Sequence, residues 1–405
     1  MSPLEFYRAI PRERLLDTLR SYSTPCYLHF EPIIARQVAY MRDALGDKFE
    51  IHFAVKANPH PEVLRALQRH GVGADVASAR ELLAALDAGI EPRHIEFSGP
   101  GKTEAELTQA IDAGIAAINV ESLQELKLLV ELAAARQRRP SVGLRVNPAL
   151  PTRSGLRMTG ATQFGIVPED LDGAFEILQR AATTVNFVGL HVHAGSQILE
   201  VHSAVQVFQA ALELARRIHE RYGRSVTKVN FGGGWGVTYF DGQQHLDVAA
   251  VGAEVRNLLR QSSHAATVAG AKLIVEPGRY LVAESGVYAT RILYRKQAEG
   301  RQFAIVDGGM HQNYLLAGGM GQVIRRNFFL DFLADPQRGA NGAPTVLNVA
   351  GCLCTPADIL AQGAACGFDP RPGDYVVFFN CGAYGASASP VDFLSHPFPQ
   401  VALLS

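Results

Sequence analysis

Short apolar runs alternate with amphipathic stretches through the first part of the chain, and the alternation predicts its elements. Candidate strands fall at Ile51–Val55, Ala74–Val76, Ile95–Ser98, Ala117–Val120, Val142–Val146, Phe187–Val192, Lys228–Phe231 and Leu273–Val275. They read as apolar on both sides, the pattern of strands buried in a parallel sheet. Between them lie segments such as Pro61-Glu62-Val63-Leu64-Arg65-Ala66-Leu67, with apolar positions three and four apart, as in helices. Eight such units over about 240 residues predict a (β/α)8 barrel, with an open doubly wound sheet as the alternative.

Beyond Gly286 the texture changes. Strand-like pieces at Val287–Tyr294, Gln302–Val306, Thr345–Val349 and Asp374–Phe379 are separated by Gly, Pro, Asp and Asn rather than by helices, which predicts an antiparallel β domain. An extended run near Tyr27 is assigned to that domain, because chain termini often lie close together. The expected division is 33–285 for the barrel and 1–32 plus 286–405 for the β domain. Gly318-Gly319-Met320-Gly321 reads as a flexible loop.

Composition narrows the class. With 405 residues, 47% hydrophobic and 19% charged, the chain has the makings of a globular protein with two cores. Lys+Arg 38 against Asp+Glu 39 points to neither nucleic acid nor a polybasic membrane contact. Met1 to Leu16 is broken by Pro3, Pro11 and charges, unlike a signal peptide, and no apolar run is long enough to span a bilayer. Five scattered cysteines, with Cys352 and Cys354 one residue apart, match no zinc or redox spacing, so a reduced, cytoplasmic setting and no metal are expected.

The candidate chemistry collects at strand ends, where α/β barrels keep it. Lys56 closes the run His52-Phe53-Ala54-Val55, before the turn formers Asn58 and Pro59. A lysine reaching to solvent is the plain alternative to a desolvated imine-forming amine. The sixth strand ends in His191-Val192-His193-Ala194-Gly195-Ser196-Gln197. Period two puts both histidines on one face, as stacking rings or as hydrogen-bonded core residues, and Ser196 could donate to phosphate. Gly232-Gly233-Gly234 follows the seventh strand, either as an anion cradle or as a tight turn. Glu276-Pro277-Gly278-Arg279 ends the eighth, offering a carboxylate and a cation, or an ion pair bracing the turn. An amine, a phosphate seat, a flat imidazole and an acid together meet the needs of pyridoxal 5'-phosphate.

At this point the chain resembles the barrel-type, alanine-racemase-fold decarboxylases that include diaminopimelate, ornithine and arginine decarboxylases. The resemblance rests on Phe53-Ala54-Val55-Lys56-Ala57-Asn58, Ala74-Asp75-Val76-Ala77-Ser78, Leu144-Arg145-Val146-Asn147-Pro148, His193-Ala194-Gly195-Ser196-Gln197, the glycine triplet, Glu276-Pro277-Gly278-Arg279 and Gly382-Ala383-Tyr384. It implies Lys56 as the Schiff-base lysine, His193 stacked on the cofactor, and Glu276 at its ring nitrogen. Ser196, Gly232, Gly233, Gly234, Gly278, Arg279 and Tyr384 would surround the cofactor, with Arg279 or Tyr384 also reaching the substrate. Cys354 is implied as the proton donor, reaching across a homodimer with shared active sites.

The chain departs from the diaminopimelate pattern where a glutamate would follow the catalytic cysteine. Thr355 stands there, and Asn313-Tyr314-Leu315-Leu316-Ala317 replaces an Arg-Pro-Ala-Leu-Tyr element. Cys354-Thr355-Pro356-Ala357-Asp358, His311, Gly321–Asn327 and Gly385–Pro397 resemble instead the decarboxylases of secondary-metabolite, siderophore and exosortase-associated clusters. The implied substrate is an L-amino acid without a distal ammonium, free or tethered to an acyl-carrier protein, with Thr355 and Asp358 near it. Arg325 and Arg326 would meet a carboxylate or phosphopantetheine, or remain a solvated pair. A decarboxylase of free diaminopimelate or ornithine, a racemase of the same fold and a non-catalytic binding homologue are the alternatives. Lys56, Glu276 and Cys354 argue against the last two.

Overall fold

The computed structural model describes residues 12–148, 156–157, 160–319, 326–335 and 337–405. It contains two compact units. One holds Ala35–Val237 and His245–Tyr280; the other holds the chain up to Ile34, Thr238–Gln244 and Leu281–Ser405. The expected division of 33–285 against 1–32 plus 286–405 keeps Thr238–Gln244 in the barrel, whereas here that segment groups with the other unit. Among the described residues, no helix is long and apolar enough to cross a membrane.

The first unit is a closed parallel barrel of β2 (Phe49–Ala54), β3 (Gly73–Val76), β4 (Ile95–Phe97), β5 (Ala117–Val120), β6 (Ser141–Arg145), β7 (Asn186–His191), β8 (Lys228–Asn230) and β9 (Lys272–Val275), where β1 is the N-terminal strand Cys26–Phe30. Helices follow the strands, and the chemistry of their starts is local. Ser78 and Ser122 each cap a helix by accepting the N–H three residues on, from Glu81 and Glu125. Thr103 and Glu106 form a reciprocal capping box.

The strands are not apolar on both sides, as the sequence pattern predicts. In β4 the period of two sets Glu96 opposite Ile95 and Phe97, and in β8 it groups Lys228 with Asn230. These polar residues face the barrel interior. Lys228 Nζ lies 2.8 Å from Glu96 Oε1, and β4 and β8 are opposite in strand order, so the pair spans the interior. Asn119 and Asn230 donate to the other oxygen of Glu96 at 2.8 and 2.9 Å. Burial alone would raise the Glu96 carboxyl; the Lys228 charge and hydrogen bond together with the nearby His52 outweigh it and hold the group below its usual range. The close packing of this interior demands glycine at position 143, where a Cβ would come within 2.2 Å of Asn119 Oδ1.

The second unit is a sheet in the order β12 (Leu330–Leu333), β15 (Tyr375–Phe378), β10 (Gly286–Ala298), β11 (Arg301–Val306), β13 (Thr345–Ala350) and β14 (Ile359–Cys366). β1 joins it as expected, antiparallel to β10 and parallel to β16 (Gln400–Leu404). Most pairs are antiparallel, but β11 and β13 run parallel, which brings the loops after them side by side. Cys26, Leu28, Val287, Ala289 and Val377 form the centre of its core.

Replacing Lys228 with Met leaves the Glu96 carboxylate buried without its cation. We expect a loss of about 3–5 kcal/mol in unfolding free energy by urea titration. A loss under about 1 kcal/mol would show that the barrel does not depend on the pair.

Candidate active site

β2 ends at Ala54, one residue earlier than the apolar run, and Val55–Ala57 close into a single 3-10 turn. The turn points Lys56 over the mouth of the barrel. Gly278 lets the end of β9 press against it, since a Cβ there would lie 3.0 Å from that of Ala57. Lys56 Nζ sits 2.8 Å from Oδ2 of Asp75, a fully buried carboxylate. Its Oδ1 has no hydrogen-bond partner among the described residues. Lys56 itself is 39% exposed, so it is neither the buried amine nor the solvated one of the two sequence readings. Burial raises the Asp75 carboxyl, the nearby Glu276 charge raises it further, and Lys56 only partly offsets them.

Glu276 follows β9 and is buried. Its oxygens turn inward: Oε1 accepts from Asn230 Nδ2 at 2.5 Å, and Oε2 lies 3.1 Å from His191 Nε2. The bracing pair with Arg279 considered from the sequence is therefore not what Glu276 makes. Burial pushes the Glu276 carboxyl up, but His191 beside it, with Lys56 and His193, holds it well below the ordinary range. Glu276 is thus an ionised carboxylate itself buried from water.

β7 stops at His191, so only that histidine belongs to the strand, and His193 lies beyond its end. Both still converge on Glu276. The Gly233 N–H donates to His193 Nδ1 at 3.1 Å, which places the proton of the neutral ring on Nε2. His193 is half-buried and densely surrounded. That burial, then the charges of Arg145 and Lys56, push its pKa well down.

The glycine triplet works differently from a simple cradle. The Gly232 N–H donates to Asn230 Oδ1 at 2.8 Å and the Gly233 N–H to His193, so two of its three amides are engaged within the barrel. The glycines are required by crowding. A Cβ would come within 2.5 Å of Val192 O at Gly232, 2.0 Å of Glu276 O at Gly233 and 2.2 Å of Gly195 O at Gly234. Gly232 and Gly234 also hold φ of +63° and +93°. Ser196 pairs in register with Leu156 and is half-buried, as is Arg279.

Cys354, Thr355, Asp358 and Tyr384 lie in the β unit. Cys354 is exposed on the loop between β13 and β14, and Thr355 Oγ1 accepts the Ala357 N–H at 3.3 Å. Asp358 has a bracing role instead of the substrate-facing one expected: it is buried, and its oxygens accept the N–H groups of Met310 and Leu353 at 2.6 and 2.9 Å. Tyr384 is held at φ +55°, a conformation unusual for a bulky residue. Met320–Arg325 lie outside the described residues, and Arg326 is exposed.

Sequence reasoning assigns no role to Asp75, Asn230 or His191 as partners of the lysine and the carboxylate. The signal is present as polar residues at inward positions of otherwise apolar strands. The resulting set holds a primary amine hydrogen-bonded to a carboxylate, an ionised buried acid and a neutral imidazole of fixed tautomer, which fits pyridoxal phosphate.

The comparisons agree. The pyridoxal-binding domain of pyridoxal-dependent decarboxylases matches residues 32–283. The L-glutamyl-[BtrI acyl-carrier protein] decarboxylase of Niallia circulans is 35% identical, over 94% of this chain and 88% of that one. The diaminopimelate decarboxylase of Zymomonas mobilis is 32% identical, over 92% and 86%. The crystal structure of diaminopimelate decarboxylase from Helicobacter pylori complexed with L-lysine superposes with a TM-score of 0.84 at 28% identity, covering 96% of this chain and 93% of that one. The chain belongs to the pyridoxal-dependent decarboxylase family. It is an enzyme of the lyase class that uses pyridoxal phosphate.

The depressed pKa of His193 gives stability a pH dependence. The folded state keeps the ring neutral where the unfolded chain takes up a proton, so stability is full above pH 6.5 and falls as pH drops below it. In thermal melts, wild type should lose Tm between pH 6.5 and about 5 more steeply than His193→Gln; parallel curves would show that His193 is not held neutral.

Proposed function

We propose that the chain decarboxylates an L-amino acid lacking a distal ammonium, tethered to an acyl-carrier protein by a thioester through its side-chain carboxyl so that the α-carboxylate is free to leave as CO2. The observation that carries the substrate reading is Thr355, which stands beside Cys354 where a carboxylate would be needed to hold a distal ammonium. A buried ammonium without such a partner would lose several kcal/mol of binding, about 3–5 by analogy with broken buried pairs. The similarity to a carrier-bound glutamyl decarboxylase supports the same reading.

Bound pyridoxal phosphate supplies an aldehyde carbon for the amine and a ring that takes up the electron pair left by departing CO2. Lys56 is the amine that would hold it. Asp75, 2.8 Å from Nζ, orients that amine and is a ready acceptor for its proton. Glu276 stays ionised and would hold a proton at the cofactor's ring nitrogen. His191 and Asn230 hold its two oxygens in place. His193 offers a neutral, immobile face for stacking, while Ser196, Gly234 and Arg279 stand near the barrel mouth for the phosphate. Cys354 gives its thiol proton to the carbon that lost CO2 and recovers one from solvent.

The cysteine acts in the active site of a partner subunit, and the protein is a homodimer. Mixing Lys56→Ala and Cys354→Ala subunits should then restore activity to about a quarter of wild type, because random exchange leaves one intact site in half of the dimers. No recovery, with subunit exchange verified, would place Cys354 in the site of its own chain.

The substrate is tested by CO2 release from free glutamate, glutamyl-carrier thioester, ornithine and diaminopimelate. The thioester should exceed diaminopimelate by at least about 100-fold in kcat/KM. Faster turnover of diaminopimelate would overturn the substrate reading, and loss of optical activity without CO2 would favour a racemase.

A further inference from the structure

The loops after β11 and β13 lie side by side because those strands run parallel, and they bring together residues far apart in sequence. His311 follows β11, Cys352 follows β13, and His396 precedes β16. One ligand atom from each lies within 4.8 Å of the others. Cys352 Sγ is 3.9 Å from His396 Nε2, and the two imidazole rings are 5.0 Å apart by centroid. The corresponding edges of a tetrahedral zinc site are about 3.3–3.6 Å, so small side-chain rotations close the set.

His311 supplies the second observation. It is wholly inaccessible to solvent, yet neither ring nitrogen has a hydrogen-bond partner among the described residues. Burying an imidazole with both nitrogens unpaired is costly, and such a group calls for a ligand. The surrounding backbone is built to hold the cluster. Asp358 ties the His311 turn to the Cys352 loop through the Met310 and Leu353 N–H groups, the Cys352 N–H donates to Gly308 O at 3.1 Å, and Gln312 Nε2 donates to Pro397 O at 3.0 Å.

We propose that His311, Cys352 and His396 form a zinc site in the β unit, with the fourth position left to water. One sulfur and two imidazoles suit zinc rather than magnesium or calcium, which prefer oxygen. Zinc takes the sulfur as a thiolate, so binding displaces the Cys352 thiol proton to solvent. Zinc here clamps the His396 segment onto the loop that carries Cys354. The inference stands on the β unit alone and does not depend on the substrate reading.

The test is a zinc titration of chelator-treated holoenzyme against a fluorescent zinc indicator. Wild type should take up one zinc per chain with Kd below about 1 µM. Cys352→Ser and His396→Gln should each weaken uptake at least about tenfold, while Cys354→Ser should not. Zinc should raise the Tm of wild type and of Cys354→Ser only. No stoichiometric uptake by wild type, or unchanged uptake in both ligand variants, overturns the site. Should a ligand variant not fold, alkylation of wild-type Cys352 by iodoacetamide, mapped by peptide mass, decides the matter. Stoichiometric zinc should slow it, and an unchanged rate overturns the proposal.

Discussion

The structure depends on carboxylates held inside a barrel. Asp75, Glu96 and Glu276 all face the same interior, and burial pushes each of them toward the neutral form. Their partners decide the outcome. Glu96 has Lys228 and two amide groups, and Glu276 has His191 and Asn230. Asp75 is paired with Lys56, which is part-exposed, and it feels the Glu276 charge as well. So the same barrel drives two carboxyls down and one up. A permanently ionised acid then stands beside one that readily takes a proton, the separation of roles that acid–base chemistry needs.

Asn230 links the deep network to the mouth. Its Nδ2 group bridges Glu96 and Glu276, while its Oδ1 receives the Gly232 N–H. The next amide, that of Gly233, fixes the His193 tautomer. A single polar residue at the end of β8 therefore sets the acid, the turn and the imidazole in one geometry. This is why the glycines cannot carry side chains: the turn lies against the backbones that hold His193, Glu276 and Gly195.

The fold is legible in the sequence because the strand–helix rhythm is strong. Ala117–Val120 matches the observed strand, and the other barrel strands lie within about two residues of expectation, the usual uncertainty of element ends. The β unit is less legible. Leu330–Leu333 and Gln400–Leu404 are short strands with little alternation, and Ile359–Cys366 contains Gly363. At the site, Lys56, His193 and Glu276 are visible from their strand-end positions. Asp75 and Asn230 are not, because an inward polar residue declares its role only once the opposite strand is known. The glycine triplet reads as an amide cradle, but position along the chain cannot reveal that Asn230 and His193 already take two of those amides.

The loop bearing Cys354 shows how an exposed thiol can also be a closely positioned one. A Cβ at Gly351 would lie 2.1 Å from Asp358 Oδ2, so glycine is needed for that carboxylate to reach the Leu353 N–H. The Gly351 N–H donates in turn to Asp358 O at 2.9 Å. The loop is thereby closed on itself from both ends, with Leu353 buried and Cys354 turned outward. Burial raises the Asp358 carboxyl, while the two N–H groups that it accepts oppose that rise. The rigidity that presents Cys354 thus comes from a buried carboxylate on its own loop, whereas the rigidity around Lys56 comes from the barrel.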